Sequence, residues 1–198
     1  MATTTTISKS DLPVSMTDVE FETFVARRPH GERWQLIDGD VVMMNPPRLR
    51  HQRIAGNLAM ELNVHFRQTS AQLFAFQEVG LKVPGVARFR PRPDLAIVPT
   101  TVDPATIWAE HFVLACEVLS ESNTAKQIER KRKHYLNHPD NLYVLIMAQS
   151  QLEMEVWSRR LDWQPRFLRS PDDRLELPEL GFSTTLRTIY AGTAVVAR

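Results

Sequence analysis

Two apolar runs that flank a basic segment constrain the fold of this chain more than any other feature. Residues 112–119 and 141–147 are apolar almost throughout, as expected of strands that are covered on both faces of a sheet. Residues 123–137 between them are polar and basic and predict a helix, with Ser122 or Asn123 as its N-cap. A strand–helix–strand connection needs a crossover, so this stretch predicts at least one parallel pair of strands.

The flanking segments predict a second long helix and further strands. Apolar residues recur about every four positions from Arg48 to about Gln68, which predicts an amphipathic helix. An earlier Asp38-Gly39 step between two short apolar runs predicts a β-hairpin, and Ser15 or Thr17 can cap a short helix before it. Further strands are predicted at residues 73–83 and 94–98 and in two runs within 152–167, and residues 186–190 predict a final helical turn or strand. The predicted class is α/β: a mixed β-sheet with a restriction-endonuclease-like αβββαβ order, preceded by a helix and hairpin and followed by a β-meander.

Length and composition fit one globular domain. The chain has 198 residues, 43% of them hydrophobic, and a formal net charge of +1. This charge excludes an overall cationic coat for nucleic acid but leaves local basic patches open. Residues 1–14 are rich in Thr and Ser and are expected to form a disordered tail, which leaves 15–198 as the domain.

The chain shows no sign of a membrane span or of a disulfide framework. Cys116 is the single cysteine, which excludes an internal disulfide and a cysteine zinc cluster. No apolar stretch approaches the roughly 20 residues of a transmembrane helix. The start lacks the basic-then-apolar order of a signal peptide, and we therefore expect a cytoplasmic protein.

Asp94 and Glu117 are candidate ligands of a divalent cation. Asp94 opens one predicted strand, and Glu117 lies late in the next. If these strands are neighbours, the carboxylates can converge at one edge, where hard oxygen ligands suit Mg²⁺. Burying the charge of Glu117 in an apolar strand costs on the order of several kcal/mol unless a cation compensates for it. For an isolated buried glutamate, an ion pair with a basic residue of the following helix is the ordinary explanation.

Lys131 adds a cation to this pair of carboxylates. Gln127, Lys131 and Tyr135 are spaced at i, i+4 and i+8, so they share one face of the predicted helix. A lysine there can reach the strand edge, steady an attacking water and offset charge on a phosphate. Residues 130–133 are all basic, however, and such a run is equally consistent with a solvated surface.

The order of these motifs resembles the PD-(D/E)XK nuclease superfamily and, within it, the bacterial Uma-two-type restriction endonuclease family. The family carries its lysine on the helix after the acidic strand, which is the place of Lys131, whereas Leu119 occupies the more usual lysine position. The resemblance implies Mg²⁺-dependent (or Mn²⁺-dependent) hydrolysis of DNA, with Asp94 and Glu117 as metal ligands and Lys131 assisting. It rests on six stretches in one order: 34–39 (WQLIDG), 51–54 (HQRI), 78–80 (EVG), 93–96 (PDLA), 117–120 (EVLS) and the 131-to-135 spacing.

Two positions depart from the family pattern. Gln35 stands where the family usually has Glu, and Gln127 stands where Asp is common. Fewer carboxylates predict weaker metal binding, or one ion rather than two. Asp38 or Glu78 could supply the missing charge, although Glu78 fits an ordinary cross-strand pair equally well.

Further residues are candidate contacts to the substrate. Arg88, Arg90 and Arg92 alternate just before Asp94 and would form a row for phosphates, or else a solvated loop rim. Arg130 is a further candidate for nucleic-acid binding. His51 matches the family and would line the cleft, or else lie at the surface or cap its helix.

The sequence therefore predicts an endonuclease that cuts DNA, and it leaves two alternatives open. Gln35 and Gln127 are also consistent with a nucleic-acid-binding protein that keeps the fold but has lost effective catalysis. A structural domain with a Glu117–Lys131 ion pair would have no nucleic-acid affinity. The late meander could pair across a two-fold axis, and a homodimer would place two sites for double-strand cutting.

Overall fold

The computed structural model describes residues 15–29, 31–121 and 123–195. The predicted tail, residues 1–14, and the candidate cap Ser122 lie outside these ranges. The helices are α1 (Asp18–Ala26), α2 (Leu49–Thr69), α3 (Ala125–Asn137) and α4 (Leu186–Ile189). The strands are β1 (Trp34–Ile37), β2 (Asp40–Met43), β3 (Leu73–Gln77), β4 (Gly80–Leu81), β5 (Leu95–Pro99), β6 (Trp108–Ala109), β7 (Leu114–Leu119), β8 (Tyr143–Ala148), β9 (Met154–Ser158), β10 (Pro165–Leu168), β11 (Arg174–Leu177) and β12 (Phe182–Thr185).

A six-stranded mixed sheet with the order β10-β9-β8-β7-β5-β3 organises the fold. Strands β3, β5 and β7 are antiparallel neighbours, whereas β7 and β8 run parallel and are joined by α3. Together with α2, these elements form the predicted αβββαβ core, and the predicted α/β class is confirmed. Strands β9 and β10 extend the sheet as the predicted meander.

Helices cover both faces of this sheet because its central strands are apolar on both sides. One face packs against α2, and its core includes Leu58 and Leu62 of the helix with Cys116 and Leu145 of the sheet. The other face packs against α3 through Tyr135. Side chains of alternate residues in β5 and β7 therefore point to opposite helices.

Local sequence explains the hairpin and the start of α3. Asp38 and Gly39 both have positive φ (52° and 93°), the conformation that a tight two-residue hairpin turn requires. Thr124 is the N-cap of α3, and its hydroxyl accepts a hydrogen bond from the Gln127 N–H. The predicted cap Asn123 is wrong, because its side chain instead accepts hydrogen bonds from Ser120.

The structure departs from the predicted strands in two places. The run 73–83 is broken at Glu78, where φ is 54°, and the chain then leaves the main sheet. Its second part, β4, pairs with β6 in a separate two-stranded parallel sheet. Strands β11 and β12 form another two-stranded sheet that the sequence analysis missed. None of the helices in the described ranges has the length and apolarity to cross a bilayer.

Candidate active site

The register of β5 and β7 places Asp94 beside Glu117. Leu95 pairs with Cys116 and Ala96 with Ala115, so Asp94, directly before β5, falls opposite Glu117. Residues opposite each other in antiparallel strands point to the same face. That face is the one covered by α3, because Ala96 and Ala115 pack in the same cluster as Tyr135.

Glu117 is buried and carries two hydrogen bonds from α3. Its side chain accepts from Lys131 Nζ at 2.8 Å through Oε2 and from the Tyr135 hydroxyl at 2.8 Å through Oε1. The residue is only 3% exposed, and burial raises the pKa of Glu117, aided by the negative charge of Asp94. Lys131 and Tyr135 act in the opposite direction by stabilising the ionised carboxylate.

Asp94 is held from the other side of the sheet by α2. Its Oδ2 accepts from the Val118 backbone N–H at 2.6 Å and lies 3.3 Å from His51 Nε2. Burial lowers the pKa of His51, but the hydrogen bond and charge of Asp94, with the backbone of Val118, outweigh it, so that the pKa is raised. A protonated His51 would place a positive charge beside the carboxylate. His51 is buried beside Asp94 and does not lie at the surface.

The hairpin positions α3 and, with it, Lys131. Arg130 Nη1 donates to Asp40 at 2.8 Å, and His134 Nε2 lies 2.6 Å from Asp38 Oδ1. These contacts tie one side of α3 to the β1–β2 turn. Since Lys131 and Tyr135 follow Arg130 and His134 by one residue each, they face the sheet instead. Arg130 is thus paired with acidic groups in this structure.

The remaining accessory residues lie outside the carboxylate cluster or touch it indirectly. The Glu78 carboxylate pairs with Arg33, which is not the predicted cross-strand pair because Glu78 lies after the end of β3 and Arg33 before β1 of another sheet. Gln127 Oε1 accepts from the Thr124 N–H at 3.2 Å and completes the helix cap. Gln35 is 8% exposed, and its Oε1 has no hydrogen-bond partner among the described residues. It lies on the side of β1 that carries Ile37, which packs in the cluster with Tyr135.

The predicted row of arginines does not form. Arg90 is buried and pairs with Asp18 at 3.0 Å and Glu22 at 2.8 Å on α1. Arg92 is partly buried, stacks on Trp108 and donates to the Glu78 carbonyl oxygen. Arg88 Nη1 lies 3.5 Å from the Ser15 hydroxyl. Because β1 bridges to this segment at Arg90, the alternating side chains contact different elements instead of facing solvent together.

The donor set fits a magnesium-type ion bound by few protein ligands. Asp94 and Glu117 supply hard carboxylate oxygens. The amide oxygen of Gln35, which has no hydrogen-bond partner among the described residues, lies on the side of β1 that packs against the apolar cluster around Tyr135. No group of three or more His, Cys, Asp or Glu side chains suited to a metal occurs in the described part of the chain. Mg²⁺ commonly binds through one or two carboxylates and keeps several waters, so two carboxylates suffice.

Tyr135 is a site residue whose role the sequence analysis missed. The i, i+4, i+8 spacing placed it on the face of Lys131, but the spacing carries no information about its hydroxyl group. In the structure, this hydroxyl is fully buried and donates to Glu117. Burial, followed by the charge of Glu117, raises the pKa of Tyr135 well above its ordinary value, which keeps the hydroxyl a donor.

Residues 19–187 match the model of the Uma2 family, described as "Putative restriction endonuclease". The chain belongs to this family. The match spans α1 to α4 and includes Asp94, Glu117 and Lys131. The predicted resemblance is therefore confirmed.

A solved structure shares the fold of this Uma2 family member. It is the crystal structure of a protein from Anabaena variabilis described as a putative nuclease of the DUF820 family. The two chains are 14% identical, and the superposition has a TM-score of 0.73. It covers 90% of this chain and 98% of the other, so nearly the whole fold is common to both. No curated protein matches the chain in sequence.

Proposed function

We propose that this protein is a Mg²⁺-dependent endonuclease that hydrolyses phosphodiester bonds in DNA. The observation that carries the proposal is the juxtaposition of Asp94 and Glu117 across β5 and β7, with Lys131 within 2.8 Å of Glu117. Membership of a restriction endonuclease family supports the same reaction class. Mn²⁺ has similar ligand preferences and is expected to replace Mg²⁺.

The residues divide the chemistry between them. Asp94 and Glu117 would hold the metal, which would polarise the phosphate and lower the pKa of a bound water. Lys131 steadies the attacking water and offsets negative charge that develops on the phosphate. Tyr135 and His51 orient the two carboxylates from opposite faces of the sheet, through Glu117 and Asp94 respectively.

One observation favours a second candidate function, nucleic-acid binding without effective catalysis. Gln35 is uncharged at the position where the resemblance to the family leads us to expect Glu, and Gln127 is engaged in capping α3. The cluster therefore has two carboxylates to hold an ion. The two candidate functions differ in their dependence on metal, because binding alone does not need Asp94 and Glu117 to hold a cation.

Cleavage of supercoiled and linear DNA with Mg²⁺, Mn²⁺ or EDTA tests the proposal. We expect wild type to cut only with a divalent cation, and we expect the cleavage rate of Asp94→Asn to be at least about 100-fold lower. Substituting residues that only orient metal ligands already lowers activity about 10–100-fold. Asp172→Asn is the matched control, because Asp172 is exposed and pairs only with Arg187 among the described residues. Urea unfolding of both variants would verify that the fold is retained.

Two results would contradict the nuclease proposal. Cutting that survives Asp94→Asn would mean that another site, or a contaminant, is responsible. Absence of cutting by wild type on every DNA form, with DNA binding retained, would favour the second candidate function. An RNA of the same sequence, run in parallel, would identify the preferred nucleic acid.

A further inference from the structure

Two exposed phenylalanines lie side by side on the edge strand of the main sheet. Phe74 and Phe76 belong to β3, the edge strand next to β5. The two residues are 41% and 42% exposed, and their ring centroids lie 4.6 Å apart. The residue between them, Ala75, is buried against α2. The strand therefore presents both aromatic rings on the face opposite α2.

This face is the one that carries the two carboxylates. Phe76 pairs with Ala96 in β5, and Ala96 lies two residues after Asp94 on the same side of the strand. With a strand spacing of about 4.8 Å and a rise of about 3.4 Å per residue, the Cα atoms of Phe76 and Asp94 are roughly 8 Å apart. A nucleotide at the carboxylates thus has an aromatic ring within reach of its neighbouring base.

Positive charge lies beside the aromatic pair. Two residues after Phe76, the Glu78 carboxylate pairs with the half-exposed guanidinium of Arg33. Arg92 Nη1 donates to the Glu78 carbonyl oxygen at 3.2 Å. The Glu78 carboxylate is therefore paired with Arg33 alone, and Arg92 is bound to the backbone next to it, so the half-exposed Arg33 is the cation that a phosphate could reach here.

The edge of β3 is partly closed to another strand. The Asn63 side chain of α2 accepts from the Ala75 N–H at 2.8 Å and donates to the Ala75 carbonyl oxygen at 3.0 Å. These are backbone groups that an added strand from a protein partner would need. What the strand offers instead is its aromatic face, which favours a stacking ligand over strand addition.

We propose that Phe74 and Phe76 form a base-stacking platform for single-stranded nucleic acid beside the candidate active site. An aromatic side chain can stack only on a base that has left its own stack, as in single strands, loops and ends. The nucleic acid at this site is therefore single-stranded or locally unpaired where it crosses β3. The platform defines the substrate class of the proposed nuclease and rests on that function.

Equilibrium binding of a fluorescent single strand of about 16 nucleotides, and of its duplex, tests the platform. The measurement uses the full chain in EDTA at fixed low salt, so that it does not depend on cleavage. We expect Phe74→Ala/Phe76→Ala to weaken binding of the single strand about tenfold or more, and of the duplex much less, because stacking contributes to the former alone. Phe76→Trp should retain the affinity and show quenching of tryptophan fluorescence.

Phe167→Ala is the matched control. Phe167 is 43% exposed and lies on β10, the opposite edge strand of the same sheet. Its substitution removes one aromatic side chain of similar exposure, on the strand farthest from β3 in the sheet. It should leave the affinity for the single strand within about twofold of wild type, because no stacking platform is proposed there.

Several results would overturn the platform without affecting the nuclease proposal. These are no single-strand binding by wild type, equal binding by wild type and the double variant, or an equal loss in Phe167→Ala. A change of oligomeric state in the double variant with unchanged binding would mean that the rings form a protein interface. Conversely, selective loss of single-strand binding in a protein that does not cut would support the platform and contradict the nuclease.

Discussion

The Glu117 contacts illustrate how a buried charge is tolerated in the centre of an apolar strand. A carboxylate at this depth is destabilising unless its charge and both oxygens are compensated. Lys131 supplies the charge, and Tyr135 supplies a second donor. Removing either partner leaves the carboxylate short of an interaction, so these residues affect folding and function together. A test of their function therefore needs a control of equal structural cost.

Tyr135→Phe separates the two effects. We expect it to lower the cleavage rate about 10–100-fold, because groups that orient metal ligands are worth about this much. It should also cost about 1–3 kcal/mol of the free energy of unfolding, since a buried carboxylate loses a hydrogen bond. Cleavage kinetics and urea unfolding measure the two quantities.

Tyr190→Phe is the control for this prediction. The Tyr190 hydroxyl is also engaged in the interior, donating to the Ala148 and Glu153 carbonyl oxygens at 2.9 Å each. Its loss should destabilise the fold while leaving the rate unchanged at a temperature where the protein remains folded. Equal loss of rate in both variants would mean that Tyr135 acts only through stability.

The pKa values of His138 and His51 are shifted in opposite directions. Burial lowers the pKa of His138, whose Nδ1 accepts from the Asp140 N–H at 3.1 Å and whose Nε2 therefore donates to the Glu110 carbonyl oxygen. A proton on Nδ1 would face that N–H. The pKa of His51, in contrast, is raised, chiefly by Asp94 against the effect of burial.

NMR titration of the histidine ring resonances measures both shifts. His138 should remain neutral below the ordinary histidine pKa of about 6.5, whereas His51 should remain protonated above it. Since unfolded His138 binds a proton more readily than folded His138, its contribution to stability is lost as the pH falls from about 6.5 through the lowered pKa. His51 has the opposite sign, and its contribution is lost as the pH rises. A His138 midpoint at or above 6.5 would contradict this assignment.

At the scale of elements, the sequence predicted what depends on periodicity and order. The apolar runs predicted β7 and β8, and the crossover through α3 required their parallel pairing. Asp38-Gly39 predicted the β1–β2 hairpin because its turn needs positive φ at both positions. The prediction that Asp94 and Glu117 converge depended on one further assumption, that the strand opening at Asp94 and the strand of Glu117 are neighbours, and β5 and β7 do pair.

Features that depend on tertiary contacts were not predictable in the same way. The break at Glu78 requires a glutamate with positive φ, and its continuation β4 pairs with β6 far along the chain. Alternation predicted a common direction for Arg88, Arg90 and Arg92, but α1 and Trp108 hold two of these side chains. Spacing also gave no account of the hydrogen bonds of Gln127 or Tyr135. For Arg90, Arg92 and Tyr135, a partner distant in sequence determines where the side chain lies, whereas Gln127 is held by the local capping box with Thr124.

In the whole molecule, the candidate site lies between α2 and α3, at one end of the β5–β7 strand pair. α2 contributes His51 from one face, and α3 contributes Lys131 and Tyr135 from the other. Strand pairing positions Glu117 within β7, and Asp94 lies directly before β5, where its carboxylate accepts a hydrogen bond from the Val118 N–H. Pairing of the late meander across a two-fold axis stays a prediction.

We propose that Asp94 and Glu117 form a metal site and not only a structural ion cluster with Lys131. Isothermal titration of Mn²⁺ into wild type, Asp94→Asn and the exposed control Asp172→Asn tests this proposal. We predict saturable binding by wild type and the control, and a loss of at least about tenfold in affinity for Asp94→Asn, as even residues behind the ligands contribute this much. Undiminished binding by Asp94→Asn, or no binding by wild type, would contradict the proposal.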